Sequence, residues 1–549
     1  MNSVSLSLES ITTKQLLIST IKQSENFFDI VAACYHTIMQ YYGTNEKNFI
    51  AKVDNLMDNS LLVCFRQNVN SLIYCMRPGS DAPLDFSDFL NTLCSSLENM
   101  VYPDDIDNEA YTSIISYCII DSIDDNLQSE SRERIYFFPD HCPLNTSVFK
   151  NECSVYFREI ESILEECYEH NGFRKPLCDY TIGTSFKYIL MFENAELKSP
   201  VPKIKPVFIS KSCKDQVKNN HFLRIASIPF IGYDTFNIFE KKDDHLVNIG
   251  ETPKGEFYIG YRKENEAEDI RKVIRLLSLA IQNEANIIIF PEFIMSTAML
   301  SAIKKYLDEH SNDNINSKLL LVMAGTNYEY NNGQGNNILY IYDSLGEELG
   351  CYYKFSPFLT LCDDQIHGVH YDEDKPTSSA TELKSKKRFI NLEILSNPGK
   401  ECTLFDIESI GRILPAICRD VIDGVYTETL AKIFMPSFIL ISAWSPSISS
   451  FSNRLSTLAN TIHTSSLLCN CCNAVKSDKK DIGLFIYPQK EESKMKAEEY
   501  LFKRQEGCQK TCDNLGGCIH LVDLHFDNGK LSVIFNQLNG CVKKGDNYE

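Results

Sequence analysis

The chain has 549 residues, of which 43% are hydrophobic and 23% are charged. This length suffices for two or three domains with full cores, and the composition excludes collagen-like and disordered chains. The formal net charge of -20 argues against binding nucleic acid through its phosphates, because such binding needs a basic surface. The N-terminal stretch lacks the apolar region of a signal peptide, and no run approaches the roughly 18 apolar residues needed to span a bilayer. We therefore expect a cytoplasmic protein without membrane segments.

The first part of the chain, residues 1–200, is predicted to be a mainly helical domain. Apolar residues recur at helical spacing in TTKQLLISTIKQSENFFDIVAACYHTIMQYYG and again in SDFLNTLCSSLENMV. We recognise no catalytic motif there, and the sequence leaves the role of this domain open. The stretch LKSPVPKIKPVF, residues 197–208, contains three prolines. We interpret residues 201–219 as a linker, because proline disrupts the interior of helices and strands.

From residue 220 to residue 540, strand-like apolar runs alternate with amphipathic helical segments. FLRIASIPF, NIIIF and KLLLVMAGT are typical of buried strands, whereas EAEDIRKVIRLLSLAIQNEAN is typical of a helix packed on one face. NILYIYDSLGEELGCYYKF indicates a hairpin. The alternation predicts an α/β domain. Within it, the polar and aperiodic stretch 363–389 is predicted to be a surface excursion.

Three of the predicted strands end on a reactive side chain. Glu292 follows IIIFP, Lys354 follows GCYY, and Cys418 follows ILPAI. Layered α/β folds commonly place their chemistry where strands end. A thiol on a strand-to-helix turn is well placed as a nucleophile, and the backbone amide of Arg419 would face an oxyanion. Each side chain alone is more often structural, but their order along one α/β domain points to a catalytic set.

These segments resemble the three motifs of the nitrilase, or carbon-nitrogen hydrolase, superfamily. ANIIIFPEF resembles the first, an apolar strand ending in Pro-Glu, and DSLGEELGCYYKF resembles the second, a hairpin leading into a lysine. NPGKECTLFDIESIGRILPAICRDV resembles the third, which ends in Cys-x-Asp. The resemblance covers residues 220–535. It implies a four-layer α-β-β-α sandwich, preceded in this chain by the mainly helical domain.

The resemblance also implies a Glu-Lys-Cys reaction on a small amide. Glu292 would be the general base, Lys354 would stabilise the tetrahedral oxyanion, and Cys418 would be the nucleophile that forms a thioester. The chemistry is consistent, because a nearby lysine lowers the pKa of a thiol and a carboxylate within reach accepts its proton. The family further implies homo-oligomers, and we expect no cofactor.

Several neighbouring residues are candidates for supporting roles. The family often uses a further carboxylate a few residues after the lysine, a position that Asp363 or Asp364 would fill here. Arg419 stands where true nitrilases tend to have tryptophan, which favours an amide over a nitrile substrate. Trp444, the only tryptophan, follows the next predicted strand, and together with Phe293 it is a candidate substrate contact. A core or subunit-interface role for Trp444 fits the pattern equally well.

The cysteines do not predict a metal site. Of the 21 cysteines, Cys508 and Cys512 have the short spacing that zinc sites use, but the surrounding pattern supplies no convincing second pair. In a long chain without a secretion signal, most cysteines are expected to be free, buried thiols.

Two other functions share the predicted fold. Nitrilase-like modules occur in multidomain bacterial defence proteins, so the chain could be a catalytically silent binding or assembly module with a role in antiviral defence. An unreactive Cys418 in an ordered multimer would favour that hypothesis. Alternatively, the enzyme could be an acyltransferase in which an amine, rather than water, captures the thioester. Product analysis with added nucleophiles would distinguish transfer from hydrolysis.

Overall fold

The structure is a computed structural model that describes residues 12–126, 153–363 and 388–539 apart from gaps inside these ranges, the longest at 165–185 and 505–517. The chain divides into two compact units. The first comprises Met1–Glu159 and Leu177–Val201, and the second comprises Ile160–Pro176 and Pro202–Glu549.

The first unit contains helices and one small antiparallel sheet. The helices are α1 (Thr13–Ile21), α2 (Phe27–Tyr42), α3 (Ser60–Cys75), α4 (Phe86–Asn99) and α5 (Asn108–Asn126), and the strands are β1 (Cys153–Phe157) and β2 (Ile189–Glu193). Helix α2 is buried on almost all sides, as expected for a helix with little polar surface. Helix α5 packs against both α2 and α3, so α2 and α5 form the centre of this unit.

The second unit alternates strands and helices, as the sequence predicts. Its helices are α6 (Lys211–Lys214), which continues as a π-turn (Asp215–Asn219), α7 (Glu266–Gln282), α8 (Thr297–Glu309), α9 (Arg419–Asp423), α10 (Val425–Phe434) and α11 (Ser449–Ile462). Its strands are β3 (Lys203–Val207), β4 (Phe222–Ser227), β5 (Phe236–Glu240), β6 (Val247–Ile249), β7 (Thr252–Tyr261), β8 (Ile287–Ile289), β9 (Leu321–Asn331), β10 (Gln334–Asp343), β11 (Glu348–Tyr353), β12 (Leu359–Asp363), β13 (Arg388–Glu393), β14 (Thr403–Ile407), β15 (Gly411–Ile417), β16 (Phe438–Ala443), β17 (Ser465–Asn470), β18 (Asp481–Glu491), β19 (Lys494–Lys503), β20 (Cys518–Asp527) and β21 (Lys530–Asn539).

Two seven-stranded sheets carry most of these strands. Sheet I has the order β11-β10-β9-β8-β4-β20-β21, and sheet II has the order β19-β18-β17-β16-β15-β14-β3. The central strands β4, β8 and β9 of sheet I are parallel, as are β15, β16 and β17 of sheet II. Parallel strands need crossover connections, which the helices between them supply. The predicted mixed α/β architecture is therefore confirmed.

The segment interpreted as a linker contains an edge strand. Residues 203–207 form β3, which pairs in parallel with β14 at one edge of sheet II. Ile204 and Val207 face inward, whereas Lys203 and Lys205 are exposed. Pro206 is tolerated because an edge strand has one side that needs no backbone donors. The proline content that suggests a linker is thus equally compatible with this strand.

A third sheet lies beside the polar insertion. It has the order β12-β13-β7-β5, with β6 paired to β7. Strands β12 and β13 are antiparallel, and Asp363 of β12 pairs with Arg388 of β13. The stretch 363–389 therefore leaves one strand and returns into its neighbour. Residues 364–387 lie outside the described residues.

The helices α7 and α8 pack on sheet I through a continuous apolar core. Val273, Leu277 and Ile281 of α7 cluster with Ile303 and Leu307 of α8 and with side chains of β8 and β9. Helix α8 begins at a cap in which the Ser296 hydroxyl accepts the Met299 amide at 3.2 Å. This packing fixes β8, whose end delivers Glu292.

The two large sheets also contact each other near the ends of their central strands. Ser442 Oγ of β16 donates to the Phe290 carbonyl at 2.7 Å, and Cys469 Sγ of β17 lies 3.3 Å from the Ile289 carbonyl. The end of β8 therefore lies beside the ends of β15 and β16, where the candidate site is found. Within the described residues, no helix combines the length and apolar content needed to cross a bilayer.

His520 gives the second unit a pH-dependent stability. Its ring is 4% exposed and stacks on Phe502 with centroids 5.0 Å apart, and burial lowers its pKa to about 4. The unfolded chain therefore binds a proton at a higher pH than the folded chain does. The contribution of His520 to stability should be constant above pH 6.5 and fall as pH drops from about 6.5 to about 4, by roughly 3 kcal/mol.

Urea denaturation between pH 4 and pH 8 measures this effect. Trp444, the single tryptophan, lies in the same unit and supplies the fluorescence signal. His520→Phe keeps an aromatic ring against Phe502 and lacks the titrating ring, so its stability relative to the wild type should rise by roughly 3 kcal/mol as pH falls from about 6.5 to about 4. An unchanged slope in this variant would show that other groups cause the acid sensitivity.

Candidate active site

Glu292 is fully buried just after β8, and both oxygens of its carboxylate have hydrogen-bond partners. One carboxylate oxygen, Oε1, lies 2.7 Å from Lys354 Nζ and accepts Asn337 Nδ2 at 2.9 Å. The other oxygen, Oε2, accepts the backbone amide of Trp444 at 3.0 Å. The backbone amide of Glu292 donates to the Ala443 carbonyl at 3.3 Å. A buried carboxylate is tolerable only with such partners, so the strand end is built around this charge.

Lys354 follows β11 and is also fully buried. Its ammonium lies 2.7 Å from Glu292 Oε1 and 2.6 Å from Glu393 Oε2, so one cation sits between two carboxylates. Burial lowers the pKa of Lys354, but the two carboxylates outweigh burial and raise it above its usual value. The ammonium also lies 5.1 Å from the ring centre of Phe293, within range of a cation–π contact. Lys354 is therefore charged at any physiological pH.

Cys418 occupies a strained turn between β15 and α9. Its φ of 35° and ψ of -100° lie in a region that side-chain-bearing residues rarely adopt. Its amide donates to the Ser442 carbonyl at 3.0 Å, which fixes the turn against β16. The thiol hydrogen-bonds the Glu292 carboxylate and lies 3.7 Å from the Trp444 carbonyl. The side chains of Glu292, Lys354 and Cys418 thus form one contact group.

Burial dominates the acid–base state of this group. It raises the pKa of the Cys418 thiol well above its usual value, and the Glu292 charge raises it further, while Lys354 lowers it by less. Burial also raises the pKa of Glu292, against the opposing effect of Lys354. The lysine therefore acts in the direction that the sequence predicts, but the net pKa of the thiol is raised. At rest the site holds a neutral thiol beside a carboxylate.

Glu393 is a member of the site that sequence reasoning missed. It ends β13, is 3% exposed, and accepts both Lys354 Nζ and, at 2.8 Å, the Phe358 amide. The sequence predicts a further carboxylate at Asp363 or Asp364. The side chain of Asp363 and the whole of Asp364 lie outside the described residues, and the carboxylate seen on the lysine is Glu393. The feature of the sequence that points to Glu393 is its position at the end of the strand-like run FINLE.

The predicted auxiliary residues have distinct positions. Arg419 is the first residue of α9, and its side chain forms an ion pair with Asp423 at 2.8 Å. Its side chain therefore points along the helix, and an oxyanion contact by its amide stays a prediction. Trp444 contacts the site through its backbone, since its amide binds Glu292 and its carbonyl accepts the Cys418 thiol.

Aromatic rings surround the side of the site next to Glu292. Phe293 has a φ of 62°, and its ring packs against Tyr328 and Trp444 with centroids 6.3 Å and 6.5 Å away. Phe358 meets Trp444 edge-on at 6.1 Å. Phe293 is buried, whereas the other three rings are partly exposed, so they form an apolar wall between the site and the surface.

Cys508 and Cys512, the pair with zinc-like spacing, lie outside the described residues.

Asp420 ties the cysteine turn to the segment after Lys354. It is fully buried on α9 and accepts the amides of Ser356 at 2.5 Å and Phe355 at 3.1 Å, together with the Tyr352 hydroxyl at 3.0 Å. Burial raises the pKa of Asp420 to about 7, although the hydrogen bond from Ser356 opposes this shift. The nucleophile turn and the lysine segment therefore share one anchor.

We expect Asp420→Asn to lower stability by about 1–3 kcal/mol, because an amide nitrogen would then face backbone N–H donors. Urea denaturation followed by Trp444 fluorescence measures the loss. Asp423→Asn on the same helix is the matched control, since Asp423 is exposed and pairs only at the surface. Equal stability of the two variants would contradict the anchoring role.

Comparison with known proteins gives structural matches only. No protein-family model and no curated protein sequence matches the chain. Solved structures do match. They are proteins of the nitrilase superfamily.

Three of these structures illustrate the extent of the likeness. Nit3 of Saccharomyces cerevisiae, a member of branch 10 of the superfamily, is 12% identical with a TM-score of 0.29, over 51% of this chain and 90% of its own. The NitN amidase from Neterenkonia sp. AN1 is 11% identical with a TM-score of 0.30, over 52% and 94%. The C. elegans NitFhit protein is 12% identical with a TM-score of 0.28, over 51% and 61%. At these values the function has to be argued from the side chains of the chain itself.

Proposed function

We propose that the protein is a carbon-nitrogen hydrolase that cleaves a small amide through a thioester on Cys418. The observation that carries this proposal is the shared contact of Glu292, which binds both the Cys418 thiol and, at 2.7 Å, the Lys354 ammonium. A nucleophile, a base and a cation in mutual contact satisfy the requirements of covalent acyl transfer.

The first half of the reaction uses Glu292 as base and then as acid. Because the thiol is neutral at rest, its proton passes to Glu292 as Sγ attacks the amide carbon. The carbonyl oxygen becomes an oxyanion beside Lys354. When the carbon-nitrogen bond breaks, the nitrogen takes the proton from Glu292 and leaves as ammonia or an amine. The product on the enzyme is a thioester of Cys418.

The second half of the reaction returns the enzyme to its starting state. Glu292 removes a proton from a water molecule, which attacks the thioester carbon. The oxyanion collapses, the carbon-sulfur bond breaks, and Cys418 regains its proton from Glu292. A carboxylic acid leaves the site. The raised pKa of Glu292 suits this exchange, because a general base works best when its pKa approaches the working pH.

Lys354 is arranged to stabilise the oxyanion. An ammonium has three N–H donors. Two of them point to Glu292 and Glu393 and hold the side chain in place. The third donor is the one that a substrate oxygen would accept, in a setting where removal of water strengthens the interaction. The aromatic wall of Phe293 and Trp444 supports the further proposal that the acyl group of the amide is apolar and small.

We also propose that the two large sheets are the inner layers of an α-β-β-α sandwich. The hydrogen bonds from Ser442 to Phe290 and from Cys469 to Ile289 support a face-to-face arrangement. The packing of α7 and α8 on sheet I supports an outer helical layer. A homo-oligomer built from such sandwiches remains our expectation, and sedimentation analysis of the full chain tests it.

A panel of small amides tests the proposed function. Ammonia release is measured for aliphatic and aromatic primary amides with the wild-type chain. Turnover of at least one amide, with formation of the matching acid, is the expected result. Repeating the assay with hydroxylamine reports the thioester, which it captures as a hydroxamate, and preferential acylation of an added amine over formation of the acid would indicate a transferase. A protein that turns over no amide and carries an unreactive Cys418 would instead be the silent binding module.

A further inference from the structure

Asn337 is a buried residue whose side chain bonds both carboxylates that pair with Lys354. It lies on β10 opposite Lys354, the residue that follows β11, and is 1% exposed. Its backbone carbonyl accepts the Lys354 amide at 3.0 Å. Its side-chain nitrogen donates to Glu292 Oε1 at 2.9 Å and to Glu393 Oε1 at 3.0 Å.

These contacts close a ring of four side chains. Lys354 bonds the same two carboxylates from one side, at 2.7 Å and 2.6 Å, while Asn337 bonds them from the other. The orientation of the amide follows from the charges, because the opposite orientation would aim Oδ1 at two carboxylates. In the observed orientation, Oδ1 has no partner among the described residues.

The hydrogen bonds from Asn337 also help to compensate an excess of negative charge among these four side chains. Two carboxylates face one ammonium and all three side chains are buried, so a single positive charge compensates the pair only in part. A neutral donor that bonds both carboxylates favours their ionised forms without adding a charge that would compete with Lys354. Asparagine meets this need, because its amide nitrogen carries two N–H groups.

We propose that Asn337 is a positioning residue whose amide clamps Glu292 and Glu393 on either side of Lys354. This inference rests on the proposed function, since it concerns how Glu292 is kept able to accept a proton. The clamp acts in two ways. It holds the Glu292 carboxylate in line with the Cys418 thiol, and it keeps that carboxylate ionised at the pH where the thiol must be deprotonated.

The pH dependence of Cys418 alkylation tests the clamp without a known substrate. Iodoacetamide is a small amide and a thiol reagent, and peptide mass spectrometry resolves its rate at each cysteine. If Glu292 assists the thiol, the rate should rise with pH as Glu292 loses its proton. Asn337→Leu removes both donors, so Glu292 should lose its proton at a higher pH. We expect the part of the profile in which the alkylation rate rises with pH, the rising limb, to move up by about one pH unit. At a given pH on that limb, the variant would then react about tenfold more slowly.

Two further variants make this result specific. Asn337→Ser keeps one O–H donor and should move the limb by a smaller amount, and it serves if Asn337→Leu does not fold. Asn336→Leu is the matched control. In the wild type, the Asn336 side chain lies on the other face of β10, where its Oδ1 accepts the Asn397 amide at 3.0 Å. The control variant therefore loses hydrogen bonding outside the ring of four side chains. The control should keep the wild-type limb.

Glu292→Gln separates failure of the clamp from failure of the proposed function. If Glu292→Gln slows alkylation of Cys418 while both Asn337 variants keep the wild-type pH profile, the clamp is wrong and the proposed function stands. If Glu292→Gln reacts like the wild type across the profile, the assignment of Glu292 as base is wrong and the clamp fails with it.

Discussion

Replacement of Lys354 by methionine is expected to abolish amide turnover and to lower stability by about 3–5 kcal/mol. The substitution keeps an unbranched side chain but removes the only cation that contacts Glu292 and Glu393 in the described part of the site. Two buried carboxylates would then repel each other without compensation. The same loss removes the charge that stabilises the oxyanion.

The loss of stability in Lys354→Met should depend on pH in a defined direction. Burial already raises the pKa of Glu292 in the wild type, and without the ammonium that pKa should rise further. The contribution of Glu292 to the stability of the variant is then fully present below about pH 4, where the unfolded glutamate is protonated, and is lost as pH rises from there to the raised folded-state pKa. Urea denaturation at pH 4 and pH 7.5, followed by Trp444 fluorescence, measures the difference.

Lys432→Met is the matched control for this variant. Lys432 pairs with Glu428 at 2.8 Å on the surface of α10 and is 46% exposed. An exposed pair of this kind contributes less than about 1 kcal/mol, so the control should unfold near the wild-type midpoint. Similar midpoints for the two methionine variants would mean that the buried carboxylates do not depend on Lys354.

The second large effect is expected from Cys418→Ala, which should remove amide turnover below detection. Without Sγ no thioester can form, and the remaining groups have no covalent intermediate to stabilise. Ammonia release and the mass of the acyl-enzyme, trapped by acid quench during turnover, measure the effect. Cys213→Ala is the control, because Cys213 is buried on α6 and contacts Asn286 rather than the site. Turnover in Cys418→Ala at the wild-type rate would exclude the proposed mechanism.

The sequence predicts the parts of the site that depend on short motifs. Glu292, Lys354 and Cys418 each follow an apolar strand, and a strand is recognisable from a few consecutive residues. The structure brings these three side chains into contact, although they are separated by more than sixty positions each. Strand ends of both large sheets converge at this site, which is the physical reason that local motifs sufficed.

The partners that complete the site depend on long-range pairing, which a local motif does not reveal. Glu393 reaches Lys354 only because β12 and β13 pair across the insertion, and Asn337 lies in the middle of a strand with no local signal. The net pKa of Cys418 also escaped prediction, because it follows from burial rather than from the neighbouring lysine. Edge strand β3 was hidden by a proline content typical of linkers.

The rate at which iodoacetamide alkylates each cysteine near neutral pH is the most direct test of the central claim. Burial raises the pKa of Cys213, Cys351 and Cys469 to about 12, and it raises that of Cys418 as well, so burial alone predicts four slow thiols. Cys418 hydrogen-bonds the fully buried Glu292, whereas Cys351 hydrogen-bonds Glu401, whose side chain is 27% exposed. We predict that Cys418 reacts fastest of the four and that Glu292→Gln slows it to the rate of the others. A wild-type Cys418 that reacts no faster than the other three would contradict the account.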